Sequence, residues 1–124
     1  MAQSNLVLAF GDNALFIETA LGATAEQVKS TATPIYIIEI DNTANALTSY
    51  FKAWLLPAAS VTVGTTDPDI VVGVPGGKKL TIIVTGPGIG SALGSGITVA
   101  CVTTGGTGGV TSPANPVAVR IGYN

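Results

Sequence analysis

The sequence predicts an all-β fold, a sandwich or barrel of about eight short strands. Three observations predict it. Runs rich in Val, Ile, Thr and aromatic residues recur along the chain, with turn signals every 8–12 residues or so, roughly the spacing of such folds. Gly, Pro, Asn and Asp fill the gaps, and each ends or bends a strand for its own physical reason. No amphipathic helix of about 10–15 residues separates consecutive runs, which excludes a parallel sheet built on crossover helices.

Residues 1–13 read as an extended arm or an edge strand. Leu6, Val7, Leu8 and Phe10 make this segment apolar enough to add a strand to a neighbour's sheet edge, or to pack on its own sheet. Residues 14–20 (ALFIETA) form the first candidate strand and 27–30 a short edge strand. Residues 34–41 (PIYIIEID) give the strongest strand, with Pro34 at its start, where a missing N–H does least harm. Asp41, Asn42, Thr43, Ala44 and Asn45 then break the pattern with side chains that bond their own backbone.

Residues 49–56 (SYFKAWLL) follow as a second strong strand. Alternation puts Tyr50, Lys52 and Trp54 on one face and Phe51, Ala53 and Leu55 on the other. The Phe51 face is assigned to the core, which leaves Lys52 at the surface between two aromatic rings. A helix over 44–56 competes, because Ala and Leu form helices well. Ser49, Tyr50, Phe51 and Pro57 weigh against it. Further strands are expected at 61–63, 70–74, 79–85, 97–103 and 117–123. Two passages rhyme: 63–68 and 104–113 are Thr/Gly loops that close in Pro, similar turn chemistry serving one sheet.

Composition narrows the function. The chain has 124 residues, enough for one domain over 1–124. It contains no histidine, five basic and seven acidic residues, with 10% charged against 47% hydrophobic. A typical soluble surface is about a quarter to a third Lys, Arg, Glu and Asp. This chain cannot cover itself that way, so its exterior is Thr, Ser, Asn and Gly with patches meant for a partner. No apolar run approaches the ~20 residues of a spanning helix, and no Lys or Arg precedes Lys29 to form a signal-peptide n-region. The expectation is no membrane partner. A net charge of −2, with Lys78-Lys79 as the one basic doublet, also argues against nucleic acid. That doublet reads as a solvated pair blunting a strand end.

Reactive chemistry finds little footing. Residues 86–96 (GPGIGSALGSG) follow a strand, but a β-branched run comes next where a phosphate loop needs a helix N-terminus. Glu39, Asp41, Asn42, Asp67 and Asp69 are oxygen donors without the spacing of a calcium loop, and Asp67-Pro68-Asp69 reads as a turn into a strand. Without His, no base is singled out for a nucleophile, and the acids lie at turns and outward positions instead of facing across a cleft. Cys101 sits in an apolar run and reads as a small core residue. Neither catalytic residues, nor a metal, nor a cofactor is expected.

A resemblance enters from Ile35 to the C terminus. The blocks YIIEIDNTANA (36–46), YFKAW (50–54), VGTTDPD (63–69), VPGGK (74–78), TTGGT (103–107) and the ending 117–124 occur in an order that resembles small β-sandwich accessory proteins in the virions of tailed bacteriophages, cyanophages included. Residues 1–30 fall outside it. Such proteins decorate or cement capsids, or sit in tails. The resemblance implies an antiparallel β-sandwich, jelly-roll-like or immunoglobulin-like, of about eight strands. It implies a non-enzymatic, virion-located homo-oligomer whose partners are itself and the major capsid protein. A tail, baseplate or fibre module that binds a host surface or glycan is the alternative.

Overall fold

The computed structural model describes residues 14–84, 88 and 94–124. The apolar arm residues Leu6, Val7, Leu8 and Phe10, and most of the 86–96 loop, lie outside them. Eight strands run in order: β1 (Ala14–Leu21), β2 (Glu26–Lys29), β3 (Ile35–Asp41), β4 (Ser49–Trp54), β5 (Ile70–Val74), β6 (Lys79–Ile83), β7 (Ile97–Val102) and β8 (Val117–Tyr123). The aromatic residues of 49–54, Tyr50, Phe51 and Trp54, favour the strand, which prevails over the helical alternative for 44–56. One short 3-10 turn, Ala58–Ser60, follows Pro57.

The strands form two four-stranded antiparallel sheets, ordered β1-β8-β3-β6 and β2-β7-β4-β5. Four pairings, β1 with β8, β2 with β7, β3 with β6 and β4 with β5, describe one long antiparallel ribbon whose tip is the β4–β5 connection. The remaining two, β3 with β8 and β4 with β7, close the ribbon as it wraps on itself. That is the jelly-roll arrangement of a β-sandwich, and it removes the immunoglobulin-like option. Every connection crosses between the sheets except β4–β5.

Wrapping sorts the loops. Asp41 at the end of β3 lies level with Lys79 at the start of β6 and with Ala118 near the start of β8, and Leu21 at the end of β1 lies level with Val117. The β1–β2, β3–β4, β5–β6 and β7–β8 connections therefore gather at one end of the sandwich. Ala14 and Tyr123, which pair, mark the opposite end.

Between the sheets lies a core of buried side chains that includes Ile35, Ile38, Ile40, Phe51, Ala53, Val99, Cys101, Val119 and Ile121. Phe51 faces this core as the alternation of β4 requires. A bulge between Ile35 and Ile37 keeps Ile35 and Ile38 on the core face although their spacing is odd. Residues 61–63 do not form the expected strand. The amides of Thr65 and Thr66 both donate to the Thr62 carbonyl, and the Thr62 amide donates to Thr66 Oγ1, so the segment coils into a turn.

Cys101 points into the core, and burial pushes its thiol up to about 12. A thiol reagent at mildly alkaline pH is expected to leave the folded protein unlabelled and to label Cys101 fully once denaturant is added. Mass spectrometry of both samples checks this, and prompt labelling of the folded chain contradicts it.

Candidate functional site

Two surfaces of the sandwich stand out, and the fold treats them differently. On the outer face of the β2-β7-β4-β5 sheet stand Tyr50, Lys52 and Trp54 with their β7 neighbours Val102, Ala100 and Thr98. Sequence reasoning left Lys52 at this surface. In the structure Lys52 and Trp54 are both completely buried. The cover comes from the chain itself, in the two rhyming Thr/Gly loops.

The β4–β5 loop closes over Trp54, whose Nε1 donates to the Thr66 carbonyl at 2.9 Å. The β7–β8 loop closes over Lys52, whose Nζ donates to the Gly108 carbonyl at 2.7 Å. Tyr50's ring lies between Gly73 of β5 and Gly105 of the β7–β8 loop. Thr107 Oγ1 donates to Asp67, and a Val110 methyl rests on Gly64, so the loops also hold each other. Asp69 accepts from the Leu55 amide at 2.7 Å, which ties the start of β5 back to the end of β4. Asp67 and Asp69 thus serve loop closure.

Lys52 has no ion-pair partner among the described residues; the two ion pairs found there lie on the other sheet. Its burial holds the ammonium pKa below the ordinary lysine range. The stem fills space under the loop while the head is held by a carbonyl dipole alone.

The end that gathers four loops is the second surface, and it is built around one amide. Asn42 is fully buried. Its Nδ2 donates to the carbonyls of Leu47 (3.0 Å), Val74 (2.8 Å) and Pro75 (3.2 Å), and its Oδ1 accepts from Asn45 Nδ2 and Ser49 Oγ, each at 2.9 Å. Asn45 passes the network to the β7–β8 loop through Asn115, donating to its carbonyl at 3.0 Å and accepting from its amide at 2.7 Å. Gly76 sits so close that a Cβ there would lie 2.2 Å from the Ala46 carbonyl, so only glycine lets the turn close. Beside this network Asp41 behaves as a local turn former, and the Thr43 hydroxyl and amide hold its carboxyl below the usual range.

The network fixes what it does not bury. Leu47 stands on this braced loop with 77% of its surface exposed. Next to it is a shallow depression of about 220 Å3, lined in part by Ala46, Thr48, Thr103, Pro113 and Ala114. No charged side chain lines it. An exposed leucine on a rigid loop beside an uncharged hollow is an arrangement suited to protein contact, since little ordering entropy remains to be lost on binding.

The outer face of the other sheet is more ionic. Arg120 pairs with Glu39 at 2.8 Å and Lys79 with Asp41 at 3.7 Å, the cations half-exposed and the carboxylates partly buried, and such pairs contribute little to stability. Lys78 and Lys79 flank the β5–β6 turn in solvent. Among the described residues no group of three or more His, Cys, Asp and Glu side chains comes together. Sequence reasoning singled out Leu6, Val7, Leu8 and Phe10, which lie outside the described residues, and missed Leu47; only the hollow between two distant loops distinguishes that leucine. No protein-family model matches this sequence, and no curated protein or solved structure matches it.

Two expectations follow. Asn42→Ala leaves three carbonyls and two side chains short of a partner and is expected to cost about 3 kcal/mol or more, read by urea unfolding. An effect within experimental error sinks the bracing role. For Lys52, a lowered folded-state pKa means that the unfolded chain holds more protons between that value and about 10.4, the ordinary lysine value. Stability from this residue therefore rises with pH across that window, as the cost of a buried charge is relieved. Unfolding free energy relative to Lys52→Met is expected to increase from about pH 7 to about pH 10; a flat or falling difference contradicts it.

Proposed function

We propose that this protein is a non-enzymatic virion structural protein of a tailed bacteriophage, a capsid decoration or cement subunit. It works by burying surface against copies of itself and against the major capsid protein. The observation that carries the reading is the braced, uncharged loop end: Leu47 exposed beside its hollow, held by the buried Asn42 network.

Three further considerations support it. The order of strand and turn blocks from Ile35 onward resembles virion accessory proteins. The jelly roll recurs among viral capsid proteins, although it also serves lectins and cupins, so fold raises the expectation without deciding it. A chain with 10% charged residues leaves little ionic surface, and repeated packing in a shell suits such an exterior.

The alternative is a tail, baseplate or fibre module binding a host surface or glycan. It finds less support. Sugar binding favours open aromatic rings, and here the lone tryptophan is buried under one loop while Tyr50 is wedged between two glycines. No catalytic step, nucleic acid, membrane, metal or cofactor enters either reading.

Immunogold labelling of purified particles is expected to place the subunit over the shell, and stripping it is expected to lower the temperature at which capsids rupture. Leu47→Asp should weaken rebinding to stripped capsids by about tenfold or more, because an unpaired charge would have to be buried where an apolar side chain made the contact. Labelling confined to tails, or a Leu47→Asp protein that rebinds like the parent, overturns the reading or its contact surface respectively.

A further inference from the structure

The outer face of the β1-β8-β3-β6 sheet carries a pattern that the fold of one copy does not use. Phe16, Ile38, Ile82 and Ile121 pack inward, so the residues on either side of each point outward. Register then lines these up in two rows across the four strands. One row reads Leu15, Gly122, Ile37 and Ile83, and the next reads Ile17, Arg120, Glu39 and Thr81.

The first row has no polar side chain, and Ile83 at its end is 70% exposed. Gly122 leaves the middle low, and Ile37 leans across it, since a Cβ on Gly122 would lie 2.5 Å from Ile37 Cγ2. The second row places opposite charges on the two middle strands, Arg120 on β8 and Glu39 on β3, paired at 2.8 Å. Among the described residues that pair uses one N–H of Arg120 and Oε1 of Glu39. A guanidinium has five such donors and a carboxylate two oxygens, so both groups keep capacity for a further partner.

Opposite charges at one level on neighbouring middle strands make the face its own complement. Consider a second copy turned about a two-fold axis that lies in the interface, parallel to the strands and between β8 and β3. The operation keeps each row at its level and reverses the order of strands. Arg120 then faces Glu39 of the second copy, and Glu39 faces its Arg120, so four charges of alternating sign meet at the axis. In the apolar row Leu15 comes opposite Ile83, and Ile37 opposite the low position at Gly122. An isologous contact supplies this reversal by symmetry. The charges fix register and partner, while the apolar row supplies the burial.

We infer that two copies of this chain pack face to face through the outer surface of the β1-β8-β3-β6 sheet, with Arg120 and Glu39 pairing across the two-fold axis. This contact deepens the proposed function, on which it rests in taking a second copy as the partner, and it uses a surface distinct from the Leu47 loop. Four strands about 4.8 Å apart and about 23 Å long cover roughly 440 Å2 of each copy. Both copies together fall short of the ~1,200 Å2 of a stable standard interface. The dimer is therefore weak in free solution and gains from repetition on a shell.

The test is sedimentation equilibrium of the full chain over a wide concentration range, where the parent protein is expected to dimerise. Ile83→Asp should weaken dimerisation by about tenfold or more in Kd, because a charge would enter the apolar row. Arg120→Glu and Glu39→Arg each bring like charges together at the axis, and each alone should be monomeric. Mixed in equal amounts, these two variants should associate again, one acidic at the axis and the other basic. Ion pairing within a chain cannot produce that rescue, since neither variant keeps an opposite pair. Native emission of Trp54, buried on the other sheet, reports that each variant is folded. Should a charge reversal unfold the sandwich, the exposed position of Ile83 still carries the test. A parent protein that stays monomeric, variants that associate like the parent, or a folded mixture that stays monomeric overturns the inference. Leu47→Asp should leave the dimer intact, so shell binding and face-to-face pairing can fail independently.

Discussion

Two adjacent strands buried on both faces set the terms for the rest of this structure. Every residue of β7 and nearly every residue of β4 is inaccessible to water. One face of each is covered by the opposing sheet in the usual manner of a sandwich. Among the described residues the other face meets no second layer of secondary structure, and loops do the covering. That role explains why the β4–β5 and β7–β8 connections are long, why they are rich in Thr and Gly, and why residues 61–63 turn instead of extending. Small residues let backbone come close to Tyr50 and Trp54, and hydroxyls supply hydrogen bonds without bringing charge under the lid.

The same economy of charge runs through the loop end. A buried junction of four connections has many carbonyls to satisfy and no bulk water to satisfy them. Asn42 answers three carbonyls with one NH2 group and still accepts two hydrogen bonds on its oxygen. A carboxylate could not donate, and a lysine could not accept. Neutral amides also do not titrate, so the loop that carries Leu47 should keep its shape across pH, unlike one braced by ion pairs. Lys52 is the exception that shows the rule. It is the buried charge among the described residues, held by a single carbonyl, and its proton is correspondingly easier to remove.

These features set one end of the sandwich apart. The β3–β4, β5–β6 and β7–β8 connections are cross-linked there by neutral amides and a serine hydroxyl, and Leu47 stands exposed on the braced loop. The ion pairs lie elsewhere, on the outer face of the β1-β8-β3-β6 sheet.

How much of this was legible in the chain depends on the range of the cause. Alternation within β3 and β4, the turn residues after Asp41 and the small apolar setting of Cys101 are local, and they determined the strands, the Phe51 core face and the buried thiol directly. The order of the strands was not local. Pairing β1 with β8 and β3 with both β6 and β8 follows from how a ribbon of some 110 residues wraps, and no short-range pattern records it. Lys52 was misplaced for the same reason: its own strand marks it as outward, and outward became buried only because a loop more than fifty residues later folds across it. Asn42 read as a turn former because its neighbours are turn formers, whereas its side-chain partners include Val74 and Pro75, more than thirty residues later. By itself, then, the sequence determined where the chain extends, where it bends and how little charge it can show to water, because those depend on neighbouring residues. Tertiary structure alone decided which outward face is covered and which amide braces the loops, because each depends on contacts between residues that only the wrapped fold brings together.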